Sequence, residues 1–116
     1  MIFEVEPNEK YFIARCFVEL IDGTVFGQME TELKDHYDQG HHLIIDVQKA
    51  IEVTPDAVDA LVDRAEKQIE EQRTFVLINA REAVVKAFDD NIPIVPTEHE
   101  AIDYFNFDEL ERQYDL

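Results

Sequence analysis

Apolar residues recur along this chain at three spacings, and each spacing selects a different element. Ile2 to Val5 alternate as a short strand, and Pro7, Asn8 and Glu9 supply a turn. Tyr11 to Leu20 is rich in β-branched and aromatic residues and predicts a longer strand, antiparallel to the first because the link is short. Gly23 breaks that run. Val25, Met29, Leu33 and Tyr37 then recur every four residues, which places them on one face of a helix ended by Gly40.

Leu43 to Val47, LIIDV, is almost wholly apolar, the signature of a strand buried on both faces and hence of a parallel sheet. Thr54 is placed to cap the next helix, Pro55 suits its first position, and Val58, Leu61, Val62, Ala65 and Ile69 form its expected buried stripe. Thr74 to Asn79 contains a second buried strand, FVLI. Asn79 and Glu82 have the spacing of a capping box for a helix carrying Val84, Val85 and Phe88.

Ile92 to Val95 predicts a third short strand, with Pro93 marking it as an edge. Thr97 and Glu100 form another capping box, opening a short helix with Ala101, Ile102 and Phe105 inward, and Phe107 to Leu116 adds a further turn or frays. The order ββαβαβαβα implies an α/β fold, a mostly parallel sheet of about five strands with helices packed against it. At 116 residues, one domain spanning 1–116 is expected.

Composition narrows the function more than the fold. Hydrophobic residues make up 46% and aromatics 10%, enough for a core. Cys16 is the single cysteine, so intramolecular disulfides and cysteine-based zinc sites are excluded, and a reducing, cytoplasmic setting is expected. No signal-peptide pattern and no apolar run of membrane-spanning length is visible. The net charge of −17 repels phosphate backbones and argues against nucleic-acid binding. Acidity spread along the whole chain is first a solubility or halophilic trait, and second a means of steering a basic partner.

Candidate chemistry is sparse. Glu30 with Glu32, Asp35 with Asp38, and Asp89 with Asp90 are the closest carboxylate pairs, and helical spacing puts them mainly on solvated faces or at helix ends. The chain lacks a glycine-rich phosphate loop, a nucleophile elbow and an HExxH pair, so neither an enzyme nor a cofactor is expected. His36, His41 and His42 crowd one loop but lack a cysteine or a spaced carboxylate to complete a metal site. Asp46 ends LIIDV at the carboxyl end of a strand, where such sheets place functional carboxylates, although a capping or turn role explains it better. Tyr104, Phe105 and Phe107, and Phe26 beside Val25, leave open which aromatic side chains point inward.

The stretch from His42 to Phe105 resembles the STAS domain family, which includes the bacterial anti-sigma-factor antagonists. LIIDV looks like the family's central strand ending in Asp, followed about eight residues on by a helix start, Thr54-Pro55-Asp56-Ala57. FVLINAREAVVKAFDDNIPIV resembles the next strand, helix and last short strand, and EHEAIDYF the closing helix. In that family the helix start carries an Asp-Ser-Ser-Gly motif whose second serine is phosphorylated by a partner kinase. Aligned on the strand, Thr54 falls on the motif's Asp, Pro55 on its first serine, Asp56 on the phosphorylated serine and Ala57 on the glycine. The motif is therefore absent, and a carboxylate fills the acceptor position.

The resemblance implies a non-enzymatic regulatory module that binds a protein, such as an anti-sigma-factor-like kinase or a membrane-transporter assembly. Its partner surface would include Thr54, Pro55, Asp56, Ala57 and Asp46, unswitched at the usual position. Small-ligand or lipid binding, as in STAS/SEC14-like proteins, is the alternative, and an apolar cavity would mark it. Asp56 itself is favoured in a first helical turn by the macrodipole alone. Self-repulsion at −17 predicts that the melting temperature rises from low to molar sodium chloride, measured by calorimetry.

Overall fold

The computed structural model describes residues 2–8, 11–39, 41–89 and 91–114, with side chains through residue 111. β1 (Phe3–Pro7) and β2 (Tyr11–Cys16) pair antiparallel, with Phe3 opposite Cys16 and Pro7 opposite Phe12. β3 (Leu20–Ile21) leads into α1 (Gly23–Asp38), and β4 (His42–Asp46) follows. β5 (Glu52–Val53) leads into α2 (Pro55–Glu70). The chain continues through β6 (Phe75–Ile78), α3 (Glu82–Phe88), β7 (Ile94–Val95) and α4 (Glu98–Tyr114).

The main sheet has the order β1-β2-β4-β6-β7, and every pair after the first is parallel. LIIDV, FVLI and IPIV thus contribute neighbouring parallel strands, and β7 lies at the edge that Pro93 indicates. All five residues of β4 and all four of β6 are buried, so helices must cover both faces of the sheet. Side-chain alternation sends Phe12, Leu43, Ile45, Phe75 and Leu77 into one core, under α1, α2 and α3. Ile13, Ile44, Val76 and Ile78 enter a second, smaller core under α4, where Ala101 and Phe105 meet them.

Several expectations need correction. The run from Tyr11 to Leu20 is not one strand: it leaves the main sheet after Cys16, and Leu20–Ile21 pairs in parallel with Glu52–Val53 in a separate two-stranded sheet. On α1 the buried face is Phe26, Met29, Leu33 and Tyr37, with Val25 only half-buried, which settles the inward direction of Phe26. The helix is capped at its end by Gln39, and Gly40 lies outside the described residues. Glu30 is not on a solvated face either. Its carboxylate receives two bonds from Arg64 of α2, at 2.9 and 2.8 Å, and one from the Tyr37 hydroxyl at 3.1 Å, while the guanidinium lies over the Tyr37 ring. Asp90 lies outside the described residues.

The buried stripe of α2 is Ala57, Leu61, Ala65 and Gln68, with Val58 and Val62 on its flank. Ile69 is 62% exposed. It lies about 100° around the helix from Gln68, where the flank opens onto a cleft of about 270 Å³ lined also by Arg73, Phe75 and Tyr104. Gln68 enters the core because its amide donates to the His41 carbonyl in the loop before β4, at 3.3 Å. At α3 the proposed box does not form, since the N-cap is Arg81, two residues beyond Asn79. Asn79 instead takes φ 58°, a left-handed conformation that Asn tolerates, and turns the chain out of β6. Val84 and Phe88 point inward, whereas Val85 is exposed.

The Thr97–Glu100 pairing does open α4: the Glu100 N–H donates to the Thr97 hydroxyl at 3.2 Å, and that hydroxyl lies 3.1 Å from the Glu100 carboxylate. The helix then runs on to Tyr114 and is not short. The difference between Leu61 and Ile69 is testable. Leu61→Ala should cost about 2–5 kcal/mol in urea unfolding, whereas Ile69→Ala should stay within about 0.5 kcal/mol.

Candidate functional site

The start of α2 is built by a feature that periodicity cannot reveal. Residues 20–21 and 52–53 are the last residues before the starts of α1 and α2, and their parallel pairing sets the two helix starts side by side. The Thr54 N–H donates to the Ile21 carbonyl at 3.0 Å and extends the register to the helix cap. The first backbone N–H groups of each helix lack intrahelical acceptors, and α2 has one fewer than α1 because Pro55 carries no N–H.

Asp22 caps α1 by accepting from the Val25 N–H at 2.8 Å. Thr54 caps α2, its hydroxyl oxygen accepting from the Ala57 N–H at 3.4 Å. The same hydroxyl donates its hydrogen to the Asp56 carboxylate. The other Asp56 oxygen accepts from the Gly23 N–H, the first of α1, at 3.2 Å. One exposed carboxylate therefore ties the N-terminal ends of two helices, where both macrodipoles favour a negative charge. Gly23 serves this contact because a Cβ there would collide with the Asp56 carboxylate.

The hydrogen bond from Thr54, with those from the backbone N–H groups of Asp56, Gly23 and Ala57, holds the Asp56 carboxyl below the usual aspartate range. Pro55 is exposed and Ala57 is buried beneath the site. Phe17, Leu20 and Ile51, on the segments leading into the small sheet, are each partly exposed apolar side chains. Glu19 and Glu52 are exposed beside them.

Asp46 belongs to a different part of the molecule. It shares the face of β4 that carries His42 and Ile44 toward α4, the opposite face from the one that α2 covers. Its carboxylate accepts from Arg15 at 2.8 Å and, through the other oxygen, from the Gln48 N–H at 3.0 Å, the turn contact its position suggested. Arg15 also binds Glu6 and, at 2.8 Å, Glu98 at the start of α4. The place where three carboxylates approach one another is thus filled by a guanidinium, which binds β1, β2, β4 and α4 together.

No family model matches the chain, and no curated protein matches it in sequence. Solved structures do match it. The anti-sigma factor antagonist SpoIIAA in its unphosphorylated form gives a TM-score of 0.70 at 20% identity, over 88% of this chain and 96% of that one. TM1081 of Thermotoga maritima gives 0.73 at 14% identity, over 91% and 90%. A variant of Moorella thermoacetica RsbS gives 0.70 at 18% identity, over 95% and 97%. The chain has the SpoIIAA-like fold.

In this SpoIIAA-like frame the three histidines part company. His42 points to α4: its Nδ1 accepts from the Thr74 N–H at 2.9 Å, which leaves the proton on Nε2 to bond Glu109 at 2.7 Å, and its ring stacks on Phe105. His36 stacks on Phe12 on the other side of the sheet, with His41 tilted toward the same ring. Alternation along β4 separates them. Among the described residues no group of three or more His, Cys, Asp or Glu side chains is arranged to hold a metal ion.

Cys16 is buried, and burial followed by the nearby Asp46 charge pushes its thiol up to about 12. The void beside it, between Met29, Ile45 and Leu61, is only about 10 Å³. A larger, open cleft of about 500 Å³ lies at the carboxyl ends of β6 and β7, lined by Gln48, Asn79, Val85, Ile92 and Pro96 among others. No helix among the described residues is long and apolar enough to cross a membrane.

The depressed Asp56 carboxyl has a defined consequence. Its folded-state pKa lies below the unfolded value, so the tie to Gly23 and Thr54 is in place above the ordinary aspartate range and is lost only as pH falls through the lowered value. In a carbon-detected NMR titration the Asp56 Cγ midpoint should fall below the ordinary aspartate value. Thr54→Val, which removes the leading hydrogen bond, should move it back up.

Proposed function

We propose that the chain is a single-domain, non-enzymatic regulatory module that binds a protein partner in the manner of the anti-sigma-factor antagonists, in the cytoplasm. The partner docks at the start of α2, on Thr54, Pro55 and Asp56 with Ala57 beneath them. Asp46 supports that end of the sheet from the opposite face through Arg15. The observation that carries this reading is the Asp56 carboxylate, held between two helix starts on an exposed surface. A permanent negative charge there occupies the position that the resemblance assigns to a phosphorylated serine, although one carboxylate carries less charge than a phosphate.

The solved structures of similar fold include SpoIIAA, described as an anti-sigma factor antagonist, and a component of the stressosome, a signal integration and transduction hub. Those descriptions support a signalling partner, and an anti-sigma-factor-like kinase is the class we assign. Phe17, Leu20 and Ile51 beside the site offer the apolar contact that a charge alone lacks. The small-ligand or lipid alternative draws no support from the void beside Cys16, which is only about 10 Å³.

Thr54 is unsuited to replace the missing serine. Its hydroxyl already caps α2 and donates to Asp56, so a phosphate there would face a fixed carboxylate and lose both bonds. Incubation with ATP and a lysate of the source organism, followed by intact-mass measurement, should show no added phosphate. A phosphate mapped to Thr54 would overturn the fixed-charge reading. Capture of the partner by the immobilised chain should fall for both Asp56→Ala and Asp56→Ser, at unchanged fold by circular dichroism. Capture unaffected by either would leave Asp56 as a helix-start tie alone.

A further inference from the structure

Beyond the helix starts, α4 carries a second set of apolar side chains, exposed among the described residues. Its inner face is defined by Ala101 and Phe105 in the smaller core and by the bonds of Asp108 to Thr74, at 2.7 Å, and of Glu109 to His42. At about 100° per residue, Phe107 and Leu110 lie on the opposite side of the helix. They are 64% and 48% exposed, and Tyr104 beside them is 40% exposed. A helix needs one apolar face to attach to a sheet; this one has a second, turned to solvent.

Carboxylates flank Phe107 and Leu110, while His99 lies 3.6 Å from Asp103 and Arg73 shares a cleft with Tyr104. Asp103 and Glu111 stand one turn before and one turn after Phe107, and Glu100 lies a turn further toward the N-terminus, all exposed. Across the described side chains of α4, six acidic residues accompany no lysine or arginine: Glu98, Glu100, Asp103, Asp108, Glu109 and Glu111. Three of these are committed inward, to Arg15, Thr74 and His42. The other three border the exposed apolar pair.

The geometry points to the outer face of α4 as a docking surface for a basic amphipathic helix, one that presents apolar side chains flanked by Lys or Arg. A second copy of the chain is disfavoured as occupant, because pairing α4 with α4 would set Asp103 and Glu111 against their own kind on two bodies of −17 each. An apolar strip bordered by carboxylates selects the opposite charge pattern. This surface lies across the sheet from the start of α2, so a partner on each face can be held at once.

The test uses the full chain and three fluorescein-labelled peptides of equal length. One has Leu and Phe along one face and Lys on the flanks. The second is the same composition scrambled to destroy the amphipathic face, and the third replaces each Lys with Glu. By fluorescence anisotropy at physiological salt, the first should bind at least tenfold more tightly than either of the others. Phe107→Ser with Leu110→Ser should weaken it at least tenfold while leaving the circular dichroism and melting temperature unchanged, as should Asp103→Lys with Glu111→Lys.

Phe17→Ser with Leu20→Ser should leave that affinity unaltered, which separates this surface from the helix-start reading. Equal binding of the scrambled peptide would reduce the attraction to bulk charge and overturn the proposal. So would loss of binding through Phe17 and Leu20 in place of α4. A dimer in sedimentation equilibrium that Phe107→Ser converts to monomer would reassign the face to a second copy.

Discussion

Burial of β4 on both faces is the constraint on which the other elements depend. A strand whose five residues are all inaccessible cannot stand at the edge of a sheet or face water on one side. It must be flanked by β2 and β6 and covered from above and below. Parallel neighbours require crossovers, and α1, α2 and α3 supply them in order, all on one face because each connection moves in the same direction across the sheet. Among the described residues the second face is left to α4.

That asymmetry explains the different chemistry of the two sides. Three helices share the larger core, and two of them, α1 and α2, are joined by Arg64, which binds Glu30 with two hydrogen bonds and lies over Tyr37. α4 covers its side with Ala101 and Phe105, a modest apolar contact, and is fixed by polar anchors along its length. Arg15 binds Glu98, Thr74 binds Asp108 and His42 binds Glu109. Such anchors give the helix its register more than its affinity, since a partly exposed ion pair contributes little net stability. The side chains committed to anchoring occupy the inner half of α4, and the outer half is free to vary in chemistry.

The architecture was legible where the pattern was unambiguous. LIIDV and FVLI are continuous apolar runs and lie as adjacent parallel strands, and Thr54-Pro55 starts α2 where cap chemistry puts it. Misreadings arose where tertiary contact outweighs local preference. Gln68 takes the inward position expected of Ile69, with its amide on the His41 carbonyl, and Asn79 turns the chain where a cap was expected. The pairing of residues 20–21 with 52–53 involves strands too short to carry any periodicity, so the contact of Gly23 with Asp56 had no signal in the sequence beyond a glycine where a strand ends. Asp46 ends its strand as expected, and its side chain faces α4 rather than the start of α2 with which the expected partner surface grouped it, a distinction that turns on one residue of register.

The acidity and the exposed apolar side chains acquire a joint meaning from this arrangement. Exposed Phe107 or Leu20 would ordinarily invite self-association, yet every copy carries the same −17, and like charge within a screening length of about 8 Å opposes close approach. On the docking proposed for α4, the same field would draw in a basic partner and set its encounter rate, while apolar contact would set how long it stays. Neither property suffices alone: a wholly polar acidic surface would release its partners quickly, and an apolar one without the charge would capture copies of itself. Selectivity by repulsion is therefore built into the composition, and it acts before any particular side chain makes contact.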